Sequence, residues 1–416
     1  MKILFLSDDF PPESFGGAGI STYELAVGMK TAGHEVFVVT TCRSRADAGA
    51  SEHHGLKIFK IASDYPGKWR WYVSLNNRPV VQQVEVLLKN IAPDMVHVNN
   101  IHLYLSYRSI RVAKRYAKVV VWTARDVMAF NFSKLQTERY LKNFDCRTTW
   151  RDHLKQAKKR WNPLRNFFVR RYLGYANKLY AVSDALANAL EQNRIKGVAV
   201  MHSGADIDAW RVDETGANRF REKYNLRGKK VILFSGRLSE AKGGQQTLEA
   251  IAKIAKSLSD VVLLVISKID GYAEYLKKEA EKLGIRNELI FTGWVEREEI
   301  KYAYACADLV LVPSICFDSF PRIVLEAMAA GRPVVGTCFG GASEIIADGV
   351  TGYVVNPFNI EKMAEKILDI LNDPQKKERF GNAGRERVET DFNSRDKVNM
   401  LLADYRELLE RLSPKK

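Results

Sequence analysis

The sequence predicts an α/β protein built from two doubly wound halves in series, and three observations carry that expectation. Short β-branched apolar runs alternate with helix-length amphipathic stretches, the pattern of parallel strands joined by helical crossovers. The alternation stops at a polar, glycine-containing stretch over 202–218 and then restarts. At 416 residues the chain is also longer than one hydrophobic core usually serves.

The first half opens with the strand KILFLS, a glycine-containing loop, a helix over 18–31, Gly33 and the strand EVFVVTT. Strand-like runs follow at 95–98 (MVHV), 118–123 (KVVVWT) and 178–183 (KLYAVS). The second half repeats the scheme with KVILFSG, a helix over 243–257, VVLLVIS, a helix over 271–283, ELIFTG, a short helix and DLVLVP. Next comes DSFPRIVLEAMAAGRPVV (318–335), a helix between the strands DLVLVP and PVVGT. Pro321 suits its first turn, and Gly331 followed by Pro333 ends it. The expected divisions are an N-terminal domain 1–205, a linker 206–228, a second domain 229–394 and a C-terminal helix 395–416 that packs back on the first domain. Two Rossmann-like domains in series place a cleft between them, and domain interfaces are preferred ligand sites.

Composition narrows the classes. No apolar run approaches the roughly 20 residues that span a bilayer. MKILFLSDDFPP is too short in its apolar part for a secretory segment, so a cytoplasmic protein is expected. Five dispersed cysteines, without a CxxC pair or His cluster, fit reduced thiols and no structural zinc. The net charge is +15, and residues 134–178 supply thirteen Lys or Arg against three acids, a local +10. Aromatics are interleaved there, and Trp150, Leu154, Trp161, Leu164 and Phe168 fit one face of a helix. An anionic membrane surface is one reading of this segment. A core-facing stripe under a solvated basic face is the other. No nucleic acid is expected, because no reading motif accompanies the charge.

Three loops carry chemistry. GRLSEAKGG (236–244) follows a strand and precedes a helix, offering Arg237, Lys242 and a glycine pair. Backbone N–H groups, the helix dipole and two cations suit an anion. At an effective dielectric of about 20 each close charge pair is worth roughly 4 kcal/mol before desolvation, so two cations match a diphosphate. Two surface cations capping a loop would look the same. FPPESFGGAG (10–19) is glycine-rich, yet GxGxxG is not met and no acid ends the second strand, which disfavours a nicotinamide dehydrogenase. Gly16 and Gly17 instead let backbone approach a phosphate or sugar, unless they form a plain turn. Asp318 lies beside a helix N-terminus at the end of a strand, where open α/β sheets bind ligands, and Glu326 follows eight residues later. A helix cap and a solvated helix residue are the bland alternatives.

Together these motifs resemble the retaining glycosyltransferases of the GT-B fold, family 4 (glycosyl transferases group 1). The resemblance rests on FGGAG at 15–19, GRLSEAKGG at 236–244, FTGWV at 291–295, DSFPRIVLEAMAAGRPVV at 318–335 and GGASEIIADGVTGYVV at 340–355. It implies transfer of a hexose from a nucleotide sugar, with retention, to a saccharide or lipid-linked acceptor, without a metal or other cofactor. Arg237 and Lys242 then bind the donor's diphosphate and stabilise it as leaving group. Glu326 holds the ribose, Asp318 meets the sugar with Ser319 and Phe320 beside it, Trp294 and Val295 line the base pocket, and Gly16 and Gly17 close over the donor.

Three departures from the family pattern stand out. Asp318 is one methylene shorter than the usual Glu. Arg125-Asp126 stands where the family often reads His-Asp, and an Arg stays charged at any working pH. Lys268 follows a strand without the usual glycine pair, which makes it an added nucleotide contact. Asp206-Ile-Asp208 spells DxD but reads as a turn in the linker. The expected setting is envelope polysaccharide or glycolipid assembly at the inner membrane face. The competing readings are a sugar-nucleotide epimerase or soluble synthase of the same fold, and a non-catalytic sugar-nucleotide or membrane-binding protein.

Overall fold

The computed structural model describes residues 1–12, 16–236 and 239–412. It divides into two units, Met1–Ser203 with Ser394–Lys416, and Gly204–Asn393. The first unit holds β1 (Lys2–Leu6), β2 (Glu35–Cys42), β3 (Gly49–His53), β4 (Leu56–Ala62), β5 (Met95–Val98), β6 (Val119–Ala124), β7 (Lys178–Ala181) and β8 (Val198–Val200). Their order in the sheet is β3-β4-β2-β1-β5-β6-β7-β8. Neighbours are parallel except for the β3–β4 hairpin, whose turn His54-Gly55 has positive φ at both residues. Nothing in the sequence reading anticipated that hairpin: β3 (GASEH) is almost wholly exposed and lacks an apolar face.

The second unit holds β9 (Lys230–Ser235), β10 (Val261–Ile266), β11 (Leu289–Gly293), β12 (Leu309–Val312), β13 (Val334–Thr337) and β14 (Gly352–Val355). All pair in parallel in the order β11-β10-β9-β12-β13-β14. β10, β12 and β13 are buried along their whole length, as expected of strands covered by helices on both faces. The strand order reverses between β1 and β5 in the first unit and between β9 and β12 in the second. Open α/β sheets bind ligands at the carboxyl ends of strands at such points.

The last helix, Ser394–Leu412, completes the first unit's core. Val398 seats against Gly28, where an added Cβ would lie 2.7 Å from Val398 Cγ2. Asp404 accepts from Lys178 Nζ at 2.6 Å and Tyr180 Oη at 2.7 Å, and Tyr405 reaches His97.

Two expectations are corrected. The stretch 206–228 is no loose linker: it belongs to the second unit and carries the helix Glu214–Lys223, capped by the Asp213 side chain. The DxD acids do form a turn, with the Asp208 N–H donating to Asp206 Oδ1 at 3.1 Å. The basic segment is not one continuous helix. It forms Trp150–Ala157, a 3-10 turn Lys158–Arg160, and Arg165–Leu173, broken at Asn162-Pro163. Pro163 removes a backbone donor and biases Asn162 away from helical backbone. Among the described residues, no helix is long and apolar enough to cross a membrane.

Candidate active site

In the second unit the site is built at the strand reversal. The turn Glu240–Lys242 follows β9 and leads into the helix Gly244–Ile254 through Gly243, at φ +75°. A Cβ on Gly243 would lie 2.0 Å from the Pro313 carbonyl oxygen, so only glycine lets this turn lie against the loop after β12. The Ile315 N–H donates to Ala241 O at 3.0 Å and fastens the two loops. That contact carries Lys242 to Asp318: the ammonium is paired with Asp318 Oδ2, and Ser314 Oγ donates to the same oxygen at 2.9 Å. Burial is the largest single influence and works against the lysine's charge, but Asp318 and Cys316 together outweigh it and hold the pKa above the ordinary lysine value. Lys242 is thus a fixed cation beside a helix N-terminus.

The helix that follows Asp318, Arg322–Ala329, has Pro321 at its N-cap position and no side-chain cap there. The Asp318 backbone is held by Gly340, at φ +87°, where a Cβ would lie 2.0 Å from Asp318 O. The Gly341 N–H donates to that oxygen at 2.9 Å. Ser319 and Phe320 beside it are buried, Phe320 lying edge-on to Phe392 at 5.8 Å.

Glu326 is no solvated helix residue, since its side chain is 15% exposed. Tyr304 Oη donates to Glu326 Oε2 at 3.1 Å, and Arg322 Nε lies 3.4 Å from Oε1. Beyond the ends of β10 and β11, Lys268 Nζ sits 5.3 Å from the ring centroid of Trp294, an indole 55% exposed, and Val295 is buried. Such an open aromatic face suits stacking. Arg237 lies outside the described residues.

The first unit gathers its own polar residues at the carboxyl ends of β1, β5 and β6. Gly16 precedes the helix Gly17–Thr31 without a side-chain cap. Arg125 donates from Nε to Asn99 Oδ1 at 2.8 Å and from Nη1 to Ser203 Oγ at 3.2 Å. Asp126 caps the turn Val127–Ala129 by accepting from the Met128 N–H at 2.9 Å, and His102 Nε2 lies 3.7 Å from its other oxygen. Burial lowers the His102 pKa, with Asp126 opposing. Asp8 accepts backbone N–H bonds from Leu103, Tyr104 and Leu105 at 2.6–3.0 Å, which ties the loop after β5 to the end of β1.

Sequence reasoning therefore singled out Lys242 and Asp318, which pair beyond the ends of the central strands β9 and β12, and Glu326 on the helix that follows. It missed Ser314, Tyr304, Arg322 and His102. Ser314 carried a signal, since it follows the strand DLVLVP directly. Tyr304 carried none, because a tyrosine at that helical position reads as core.

Each unit is a doubly wound parallel α/β sheet, and the pair defines the GT-B class of glycosyltransferase. Sucrose-phosphate synthase from Thermosynechococcus elongatus superposes with a TM-score of 0.80 at 20% identity, covering 99% of each chain. HepE of Anabaena, solved in complex with UDP-glucose, gives 0.71 at 20% identity over 98% of this chain and 99% of that one. These likenesses speak to the fold. Residues 15–209 match the family described as Glycosyltransferase Family 4, and 217–387 match Glycosyl transferases group 1. The chain belongs to this glycosyltransferase family. An uncharacterized glycosyltransferase of Methanocaldococcus jannaschii is 26% identical over 90% of both chains. Spore coat protein SA of Bacillus subtilis is 30% identical over 220 residues, 49% of this chain and only 57% of that protein.

Proposed function

We propose that the protein is a retaining hexosyltransferase that takes its sugar from a UDP- or GDP-linked donor without a metal ion. The observation that carries this reading is the Lys242–Asp318 pair at the strand reversal of the second unit. A permanently charged ammonium beside a helix N-terminus is suited to a diphosphate, and it supplies the charge that a divalent cation would otherwise bring. Arg237 is its partner in this role. Asp318 orients the ammonium and links it to the sugar end of the donor. Glu326 takes the ribose, Trp294 and Lys268 flank the base, and Gly16, Gly17, Arg125 and Asp126 belong to the sugar and acceptor side. Departure of the diphosphate and attack by the acceptor hydroxyl on the same face need mainly positioning and stabilisation of developing negative charge. The UDP-glucose complex of HepE supports a nucleotide-sugar donor by analogy.

The test is a panel of UDP-, GDP- and ADP-sugars in EDTA, following release of nucleoside diphosphate. One donor should support turnover, and Lys242→Ala should lower kcat by about 100-fold or more, the scale of losing one oxyanion donor. Metal-dependent turnover, or near-normal kcat in Lys242→Ala, would refute the assignment.

The acceptor is proposed to be saccharide or lipid-linked, used at an anionic membrane face by a cytoplasmic enzyme. Support comes from the exposed side chains Leu164, Phe167 and Phe168 on the basic segment, with Trp69 and Tyr72 exposed nearby in sequence to the buried Trp71. On the same unit a cavity of about 180 Å³ is lined by Arg78, Arg108, Arg111 and Arg115 against the single acid Glu85. Aromatics set among cations are the composition of an interfacial surface.

A further inference from the structure

We infer that Tyr304 and Arg322 are positioning residues that hold the Glu326 carboxylate in one orientation, so that the site selects ribonucleotides over 2′-deoxyribonucleotides. This rests on the ribose role proposed for Glu326.

A carboxylate that must accept from a sugar diol has to present its oxygens in a fixed plane. A glutamate left to itself samples several rotamers, and fixing it on binding costs side-chain entropy. Here that ordering is done in advance by one contact to each oxygen. Tyr304 donates to Oε2 at 3.1 Å from the helix Arg297–Cys306. Arg322, one turn before Glu326 on its own helix, lies 3.4 Å from Oε1 with its side chain 9% exposed, an ion pair in which Nε makes no hydrogen bond. A carboxylate oxygen has two acceptor positions, so one contact on each leaves capacity for an incoming hydroxyl.

The tyrosine is itself immobilised. Its side chain is fully buried, and Trp210, in the stretch read from sequence as linker, meets its ring edge-on at 5.0 Å. Burial, reinforced by Glu326, pushes the phenol pKa well above its ordinary value, so the hydroxyl remains a donor at every working pH. A phenol buried this deeply is costly unless bonded, and phenylalanine would serve packing alone. The hydroxyl at this depth is accounted for by two partners, the Glu326 carboxylate and the Ser235 side chain at the end of β9.

Calorimetric titration of the full chain with UDP, GDP and ADP and their 2′-deoxy counterparts tests this. Wild type should bind its preferred ribonucleotide more tightly than the deoxy form. Tyr304→Phe should weaken the ribonucleotide about three- to tenfold, the worth of one such hydrogen bond. Its affinity for the deoxy form, which keeps only the 3′-hydroxyl, should fall less, so the ratio shrinks. Arg322→Gln, which does not disturb the buried ring, should shrink the ratio likewise. An unchanged ratio in both variants, or equal weakening of both nucleotides, overturns the inference while the ribose role stands. If wild type shows no preference, or Glu326→Gln leaves the ratio unchanged, the ribose role fails and takes the inference with it.

Discussion

Acidification should loosen the first unit through His97, by an amount that follows from its surroundings. The imidazole is fully buried in β5, with Nε2 2.7 Å from Thr123 Oγ1 and Nδ1 2.5 Å from Tyr405 Oη. Burial, and secondarily the Arg125 charge, push its pKa from 6.5 down to about 3. Between those values the unfolded chain takes up a proton that the folded chain excludes. The stability tied to this site is therefore intact above pH 6.5 and is lost progressively toward pH 3. One proton gives a slope of about 1.4 kcal/mol per pH unit, or roughly 2.5 kcal/mol between about pH 6.5 and 4.5. Urea unfolding followed by tryptophan fluorescence, at a series of pH values on wild type and His97→Asn, measures it. The variant should start less stable and lose stability more slowly on acidification, so the two curves converge. Parallel curves would refute the argument, because the proton uptake would then belong elsewhere.

Gly340→Ala should lower the melting temperature and weaken nucleotide binding together. The positive φ alone costs about 1 kcal/mol or more, and the new Cβ would displace the backbone that holds Asp318 against Lys242. Wild-type melting and turnover in that variant would show that the loop relaxes freely. Reversing Lys158, Lys159 and Arg160 to Glu should reduce co-sedimentation with phosphatidylglycerol vesicles at low salt, by about 1 kcal/mol per charge, and leave neutral vesicles unaffected. Unchanged binding to anionic vesicles would remove the membrane from the proposed acceptor side.

Much of the fold was legible because its strands are short β-branched runs with turn residues at each end. The strands β9 to β13 and the helices between them could be read in this way. β3 and β8 could not, since neither carries a buried apolar row. The helical stripe proposed through Trp161 failed at Asn162-Pro163, where local backbone chemistry overrides a spacing that ignores it. Lys242 and Asp318 were legible as separate ligand-site residues, but not as a pair. Their contact depends on the turn after β9 closing against Pro313, a backbone approach with no side-chain pattern. Glu326 was legible by resemblance, whereas Tyr304 is set by how one helix lies beside another.

The return of the chain to the first unit also bears on how the molecule is made. Val398, Leu401, Leu402 and Tyr405 share a buried cluster with Ile3, Phe5, Met29 and Val38. On a ribosome, the strands emerging first must wait for a helix synthesised after the whole second unit, which by then has all of its own segments. The usual vectorial order, N-terminal domain first, is thus inverted. Until the helix Ser394–Leu412 docks, the nascent first unit exposes the apolar surface that this helix covers and leaves His97 without its tyrosine.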